Sequence, residues 1–146
     1  MLKILIVEDN LILADILETF LEIGGYEVCG IASTVKEAVS LTNLHKPDIA
    51  IFDYRMGGGE YSSQIRPLLR DKTSMGILYA SGDPLRGKLT TADGDAYIQK
   101  PYGMKDLIQA IRIVHTIKTN GDVSSLPFPR NFSLLRNRIE KNRESA

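Results

Sequence analysis

Two apolar runs in this chain end in acid: Ile4-Leu5-Ile6-Val7 leads into Glu8-Asp9, and Ile49-Ala50-Ile51-Phe52 leads into Asp53. A run of four apolar residues reads as a strand buried on both faces. A carboxylate at its end pays a desolvation penalty unless something supports its charge. Two such carboxylates brought together repel, and one takes up a proton unless a cation lies between them. Magnesium suits that place, being a hard ion held by one or two carboxylates plus water and phosphate oxygens; manganese is the substitute ion. On this reading Asp9 and Asp53 are metal ligands, Glu8 acts through a bound water, and the backbone carbonyl of Arg55 supplies a further oxygen. Lys100 brings a mobile positive charge and Ser81 a hydroxyl. Nucleophilic oxygen, metal, lysine and hydroxyl are the parts phosphoryl transfer uses, because that reaction depends mainly on positioning and charge neutralisation. Asp53 then serves as the nucleophile, and Gly57-Gly58-Gly59 let the backbone behind it bend toward the metal.

The elements that must position these groups follow from the apolar periodicity. Residues 2–7, 26–32, 49–52, 76–80 and 96–99 read as strands. Between the first two, Leu13, Ile16, Leu17, Phe20 and Leu21 fall on one helical face, stopped by Gly24-Gly25. A second helix places Val35, Ala38 and Val39 inward and ends before Lys46-Pro47. Residues 61–70 can form a third helix that Pro67 confines or kinks. Residues 82–94 carry a proline, glycines and threonines, so any helix there is short. Residues 105–117 form a final helix with Leu107, Ala110, Ile111 and Val114 inward. Strands alternating with helices imply a parallel sheet covered on both faces, with its ligand beyond the carboxyl ends of the strands. Those ends are Glu8-Asp9, Ser33-Thr34, Asp53, Ser81 and Lys100.

With these residues in order at strand ends, the chain resembles the receiver domain of bacterial two-component response regulators, the CheY-like family. The resemblance covers residues 1–120 and rests on Glu8-Asp9, Asp53, Ser81, Tyr97 and Lys100-Pro101-Tyr102. It implies a flavodoxin-like, doubly wound α/β fold with a five-stranded parallel sheet in the order 2-1-3-4-5. It also implies that Asp53 accepts phosphate from a histidine kinase or a histidine phosphotransfer protein. Glu8, Asp9 and Asp53 then surround magnesium, Lys100 and Ser81 contact the phosphoryl group, Ser81 and Tyr97 form the switch, and the Lys100-Pro101 bond is cis. Tyr79-Ala80-Ser81-Gly82 and the Gly58-Gly59-Glu60 run are similar to a subgroup served by HWE- and HisKA2-type kinases, whereas Tyr97 departs from that subgroup.

Taken singly, these residues have plainer readings. Glu8-Asp9 also suit the cap and first turn of the helix behind them, Ser81-Gly82-Asp83-Pro84 a turn, and Tyr97 an aromatic at the core edge. Their joint occurrence favours the chemistry. A phosphatase with an aspartate nucleophile and a general acid two residues on is disfavoured, because Arg55 stands at that place. A flavin binder sharing the fold is disfavoured by the acidic pocket. A degenerate receiver that only binds protein stays open as the alternative.

The 146 residues amount to one domain, with 18 basic and 18 acidic residues in balance, which argues against a generally basic nucleic-acid-binding surface. The lone Cys29 excludes an internal disulfide, and no apolar run is long enough to cross a membrane. His45 and His115 lack metal-ligand spacing. These features suit a cytoplasmic, self-phosphorylating acceptor rather than a turnover enzyme. Residues 121–146 read as a tail with no effector domain, in which Phe132, Leu135 and Ile139 suggest a short amphipathic helix. Output through an unidentified downstream protein, with no direct DNA binding, no membrane contact and an optional homodimer, is the expectation.

Overall fold

The computed structural model describes residues 1–137. β1 (Lys3–Val7), β2 (Glu27–Ala32), β3 (Ile49–Asp53), β4 (Gly76–Ser81) and β5 (Ala96–Gln99) are parallel, in the order 2-1-3-4-5 that the resemblance implies. The sheet is larger than expected. A sixth strand, β6 (Phe132–Leu134), runs antiparallel along β5 and closes its outer edge. The helix expected from Phe132 onward is therefore a strand at Phe132–Leu134, and residues 138–146, including Ile139, lie outside the described residues. Alternation explains the outcome. Phe132 packs with the core on one face of the sheet and Leu135 with the core on the other, whereas one helical face would have kept both together.

α1 (Leu11–Ile23) begins at Asn10, whose side chain accepts from the amides of Ile12 and Leu13 at 3.1 and 3.2 Å. Because Asn10 is the cap, Glu8 and Asp9 are released from that role. The buried stripe is Ala14, Leu17 and Leu21. Leu13 and Ile16, expected inward, are 47% and 53% exposed, so the helix is rotated about its axis and presents apolar side chains to solvent. α2 (Val35–His45) is capped by the Thr34 hydroxyl on the Glu37 amide and ends at Lys46 in the left-handed region. α3 (Met104–Thr119) buries Leu107, Ala110, Ile111, Ile113 and Val114.

α1 and α3 cover one face of the sheet, and α2 the other. The rest of that second face is covered by irregular chain. Residues 61–70 form two 3-10 turns, Ser62–Gln64 and Arg66–Leu68, rather than a helix. Pro67 lies inside the second turn and removes the amide that an α-helix would need there. Residues 83–94 contain only turns, anchored by the buried side chains of Leu85 and Leu89.

Candidate acidic site at the strand ends

Pairing of β1 with β3 sets Val7 opposite Phe52, so Glu8 and Asp53 emerge side by side at the carboxyl edge of the sheet. Glu8, Asp9 and Asp53 each bring a carboxylate oxygen within 4.8 Å of the others. Glu8 is buried, Asp53 half-buried and Asp9 exposed. Lys100, one residue past the end of β5, reaches across the edge: its Nζ donates to Asp53 Oδ1 at 3.0 Å and lies 3.9 Å from Glu8 Oε1. The bond between Lys100 and Pro101 is cis.

The charges show the strain of this crowding. Burial pushes the Glu8 carboxyl up to about 7; the Asn10 amide and Lys100 pull against that shift, and the Asp53 charge adds to it. Burial acts to lower Lys100, but its hydrogen bond and attraction to Asp53 prevail and hold the ammonium above its ordinary value. Three carboxylates face one ammonium. This donor set is all oxygen, anionic and undercompensated, which fits a hard divalent cation. It is an acidic cluster able to bind such an ion. Gly57 leaves the approach open, since a Cβ there would sit 3.0 Å from Asp9 Oδ2. Gly58 and Gly59 take φ of 70° and 78°, a conformation that glycine adopts without strain.

The other residues singled out from sequence stand differently. Ser81 ends β4 next to Ala80, the partner of Asp53. It is buried, its hydroxyl accepts the Asp83 amide at 3.0 Å, and its carbonyl accepts the Lys100 amide at 2.7 Å. The Arg55 side chain turns outward to an ion pair with Asp83 at 2.6 Å, leaving only its backbone to serve the acidic cluster. Tyr97 is not part of the cluster. It lies within β5 between Tyr79 and Ser133, packed with Leu85, Leu89 and Leu135.

Sequence reasoning missed two features. Glu60 accepts the Val35 amide at 3.1 Å and so ties the loop behind Asp53 to the start of α2, a long-range contact without a local signal. An apolar trough of about 340 Å³ opens beside Glu8 and Lys100, walled by Leu13, Ile16, Leu17, Pro101, Tyr102 and Met104. The available signal is that α1 carries more apolar residues than its buried stripe of Ala14, Leu17 and Leu21 uses.

Comparison with known proteins agrees with this geometry. Residues 4–112 match the response regulator receiver domain. Response regulator GacA of Pseudomonas syringae pv. syringae is 30% identical over 118 residues, covering 78% of this chain and 55% of that protein. Transcriptional regulatory protein PdtaR of Mycobacterium tuberculosis is 33% identical over 114 residues, covering 76% and 55%. The chain thus spans about half the length of these curated relatives. A CheY-like response regulator receiver domain protein from Methanospirillum hungatei superposes with a TM-score of 0.71 at 25% identity, over 81% of this chain and 96% of that one. With the acidic cluster at the expected strand ends and the family match spanning most of the chain, the protein belongs to the response regulator receiver family of two-component signalling.

Proposed function

We propose that this chain is a phosphoacceptor switch: a histidine kinase or histidine phosphotransfer protein donates a phosphoryl group to Asp53, and the phosphorylated form signals through protein contacts. The observation that carries the reading is the set of Asp53, Glu8, Asp9 and Lys100 at one sheet edge, anionic overall and with Asp9 exposed to solvent. Asp9, Asp53 and the Arg55 carbonyl would hold a magnesium ion, with Glu8 acting through water; such an ion would supply charge neutralisation for the phosphoryl oxygens, and manganese is the alternative. An Asp53 carboxylate oxygen attacks the phosphorus of the phosphohistidine. The O–P bond forms, the N–P bond breaks, and the imidazole leaves to be reprotonated from solvent. Lys100 exchanges its pairing with Asp53 for an oxygen of the transferred group, which preserves its charge balance. The Ser81 hydroxyl turns from the Asp83 amide toward another phosphoryl oxygen, and Tyr97 follows inward as residues 83–94 rearrange. Residues 1–120 carry the phosphoryl site and the switch residues Ser81 and Tyr97. The donor docks on the exposed Leu13 and Ile16 of the trough, apolar surface that also borders Glu8 and Lys100. The protein acts in the cytoplasm and on no external substrate. Among the described residues no helix is long and apolar enough to cross a membrane.

Incubation with acetyl phosphate and magnesium, followed by peptide mass mapping, tests the reading. The expected product is an alkali-labile phosphoryl group on the Asp53 peptide, absent from Asp53→Asn and strongly reduced in Lys100→Met. Unchanged labelling of Asp53→Asn would falsify the assignment. The alternative, a protein-binding module that works without phosphate, is supported instead if no labelling occurs and partner binding survives Asp53→Asn.

A further inference from the structure

β6 is held by a short hydrogen-bonded ladder and by the side chains of Phe132 and Leu135, which pack on opposite faces of the sheet. Its ladder pairs Phe132 with Ile98, Ser133 with Tyr97 and Leu134 with Ala96. Two flanking bonds extend it: the Gln99 amide donates to the Asn131 carbonyl at 2.9 Å, and the Leu135 amide to the Asp95 carbonyl at 3.0 Å. The strand hangs on a tether, residues 121–130, that starts at Gly121 with φ 79° and runs through Pro127 and Pro129 to Asn131 with φ 64°. Ten residues reach about 33 Å when extended, enough to carry β6 onto a neighbouring molecule. An identical segment from a second copy satisfies every contact that β6 makes, because the edge of β5 already matches this sequence in register and side-chain pattern. Exchange of an identical element between two copies is a low-cost route to a dimer.

Just beyond β6 the chain meets residues 83–94, the segment that follows Ser81. The Thr91 amide donates to the Arg136 carbonyl at 3.1 Å. Beside that bond Leu89, Tyr97 and Leu135 pack in one buried cluster that leaves a cavity of about 60 Å³ against Gly87. A gap of this kind forfeits the dispersion contacts that would hold the two sides together. At the far end, residues 83–94 are tied down by the Ser81–Asp83 bond at 3.0 Å and the Arg55–Asp83 pair at 2.6 Å. A Ser81 hydroxyl that turns toward a phosphoryl group on Asp53 gives up the first of these ties.

We propose that the outer edge of β5 is a strand-docking surface, filled within one chain at rest, and that on phosphorylation of Asp53 it is filled by residues 132–134 of a second copy in a two-fold exchanged dimer. The trigger rests on the phosphoacceptor reading; the docking surface does not.

The test uses the full chain carrying Ala96→Cys and Leu134→Cys in a Cys29→Ser background, since cross-strand neighbours lie close enough for a disulfide. Oxidation at rest should give a cross-link within one chain. Oxidation in magnesium and beryllofluoride, with uptake of the latter followed by fluorine NMR, should give covalent dimers on a non-reducing gel. The same shift should appear as a doubling of mass in sedimentation of the reduced protein. Cross-links that stay within one chain despite bound beryllofluoride overturn the proposal, as do dimers that form without interchain cross-links. Failure to bind beryllofluoride counts against the phosphoacceptor reading and removes the trigger. The surface is then judged on the triple variant with Leu135→Asp, which loosens β6 directly: interchain cross-links support exchange, and intrachain cross-links alone overturn it.

Discussion

Glu8 is the residue whose position has the clearest energetic consequence. Its carboxyl titrates near 7 in the folded protein, against an ordinary value of 4.5. Between those values the native state keeps a proton that the unfolded chain has released. This contribution to stability is complete below pH 4.5 and is lost as pH rises through 7. Glu8→Gln removes the titration. In metal-free buffer the variant should gain stability relative to the parent between pH 5 and pH 8, by about 2–3 kcal/mol at most. Urea unfolding at the two pH values measures this, and parallel curves for the two proteins would refute the crowded-acid picture. Magnesium acts on the same strain. At neutral pH its millimolar addition should raise the melting temperature in a concentration-dependent way, as any ligand of the native state does. Asp53→Asn should melt several degrees higher without metal, through relief of like-charge repulsion, and respond little to magnesium.

At the scale of elements, α1 separates two properties that one apolar pattern conflated. Its start depends on Asn10, and Asn10→Ala should cost about 1 kcal/mol by leaving the Ile12 and Leu13 amides without an acceptor. Its outer face is free to serve binding. Leu13→Ser with Ile16→Ser should leave stability within about 0.5 kcal/mol, since both side chains are about half exposed. The same pair should slow phosphotransfer from a kinase while leaving labelling by acetyl phosphate intact. Equal loss with both donors would place these residues in the folding of the site rather than in docking. On the opposite face, two 3-10 turns and the irregular residues 83–94 stand where helices are weakest in propensity, around Pro67 and around Gly87, Thr90 and Thr91.

At the scale of the molecule, β6 makes the C-terminal residues part of the core rather than an appendage. Phe132 is 7% exposed and packs in the same cluster as Ile98 and Ile113, so Phe132→Ala should destabilise the whole domain by about 3 kcal/mol. Calorimetry showing an unchanged single transition would contradict this. Hydrogen exchange should find residues 83–94 the least protected internal stretch, since Leu85 and Leu89 are their only large buried anchors. A beryllofluoride complex should change protection there and at Leu135 together, because the two segments share the Thr91–Arg136 bond. A change at one without the other would separate the tail from the switch.

The amino-acid sequence by itself determined five parallel strands and the polar residues at their ends, because both are written locally. A four-residue apolar run specifies a strand buried on both faces, and the polar residue that stops it is carried to the sheet edge with it. Glu8, Asp9, Asp53 and Lys100 were legible for that reason. Which face of α1 turns inward was not legible. Its apolar residues cover more than one stripe, and only the packing of Ala14, Leu17 and Leu21 against the sheet selects among them. The sixth strand escaped the sequence for a related reason. Phe132, Leu134 and Leu135 suit either a short helix or a short strand, and the choice fell to the unpaired amides and carbonyls on the outer edge of β5. Tertiary structure decides such segments because the hydrogen-bond partners that stabilise one state over the other lie more than thirty residues away.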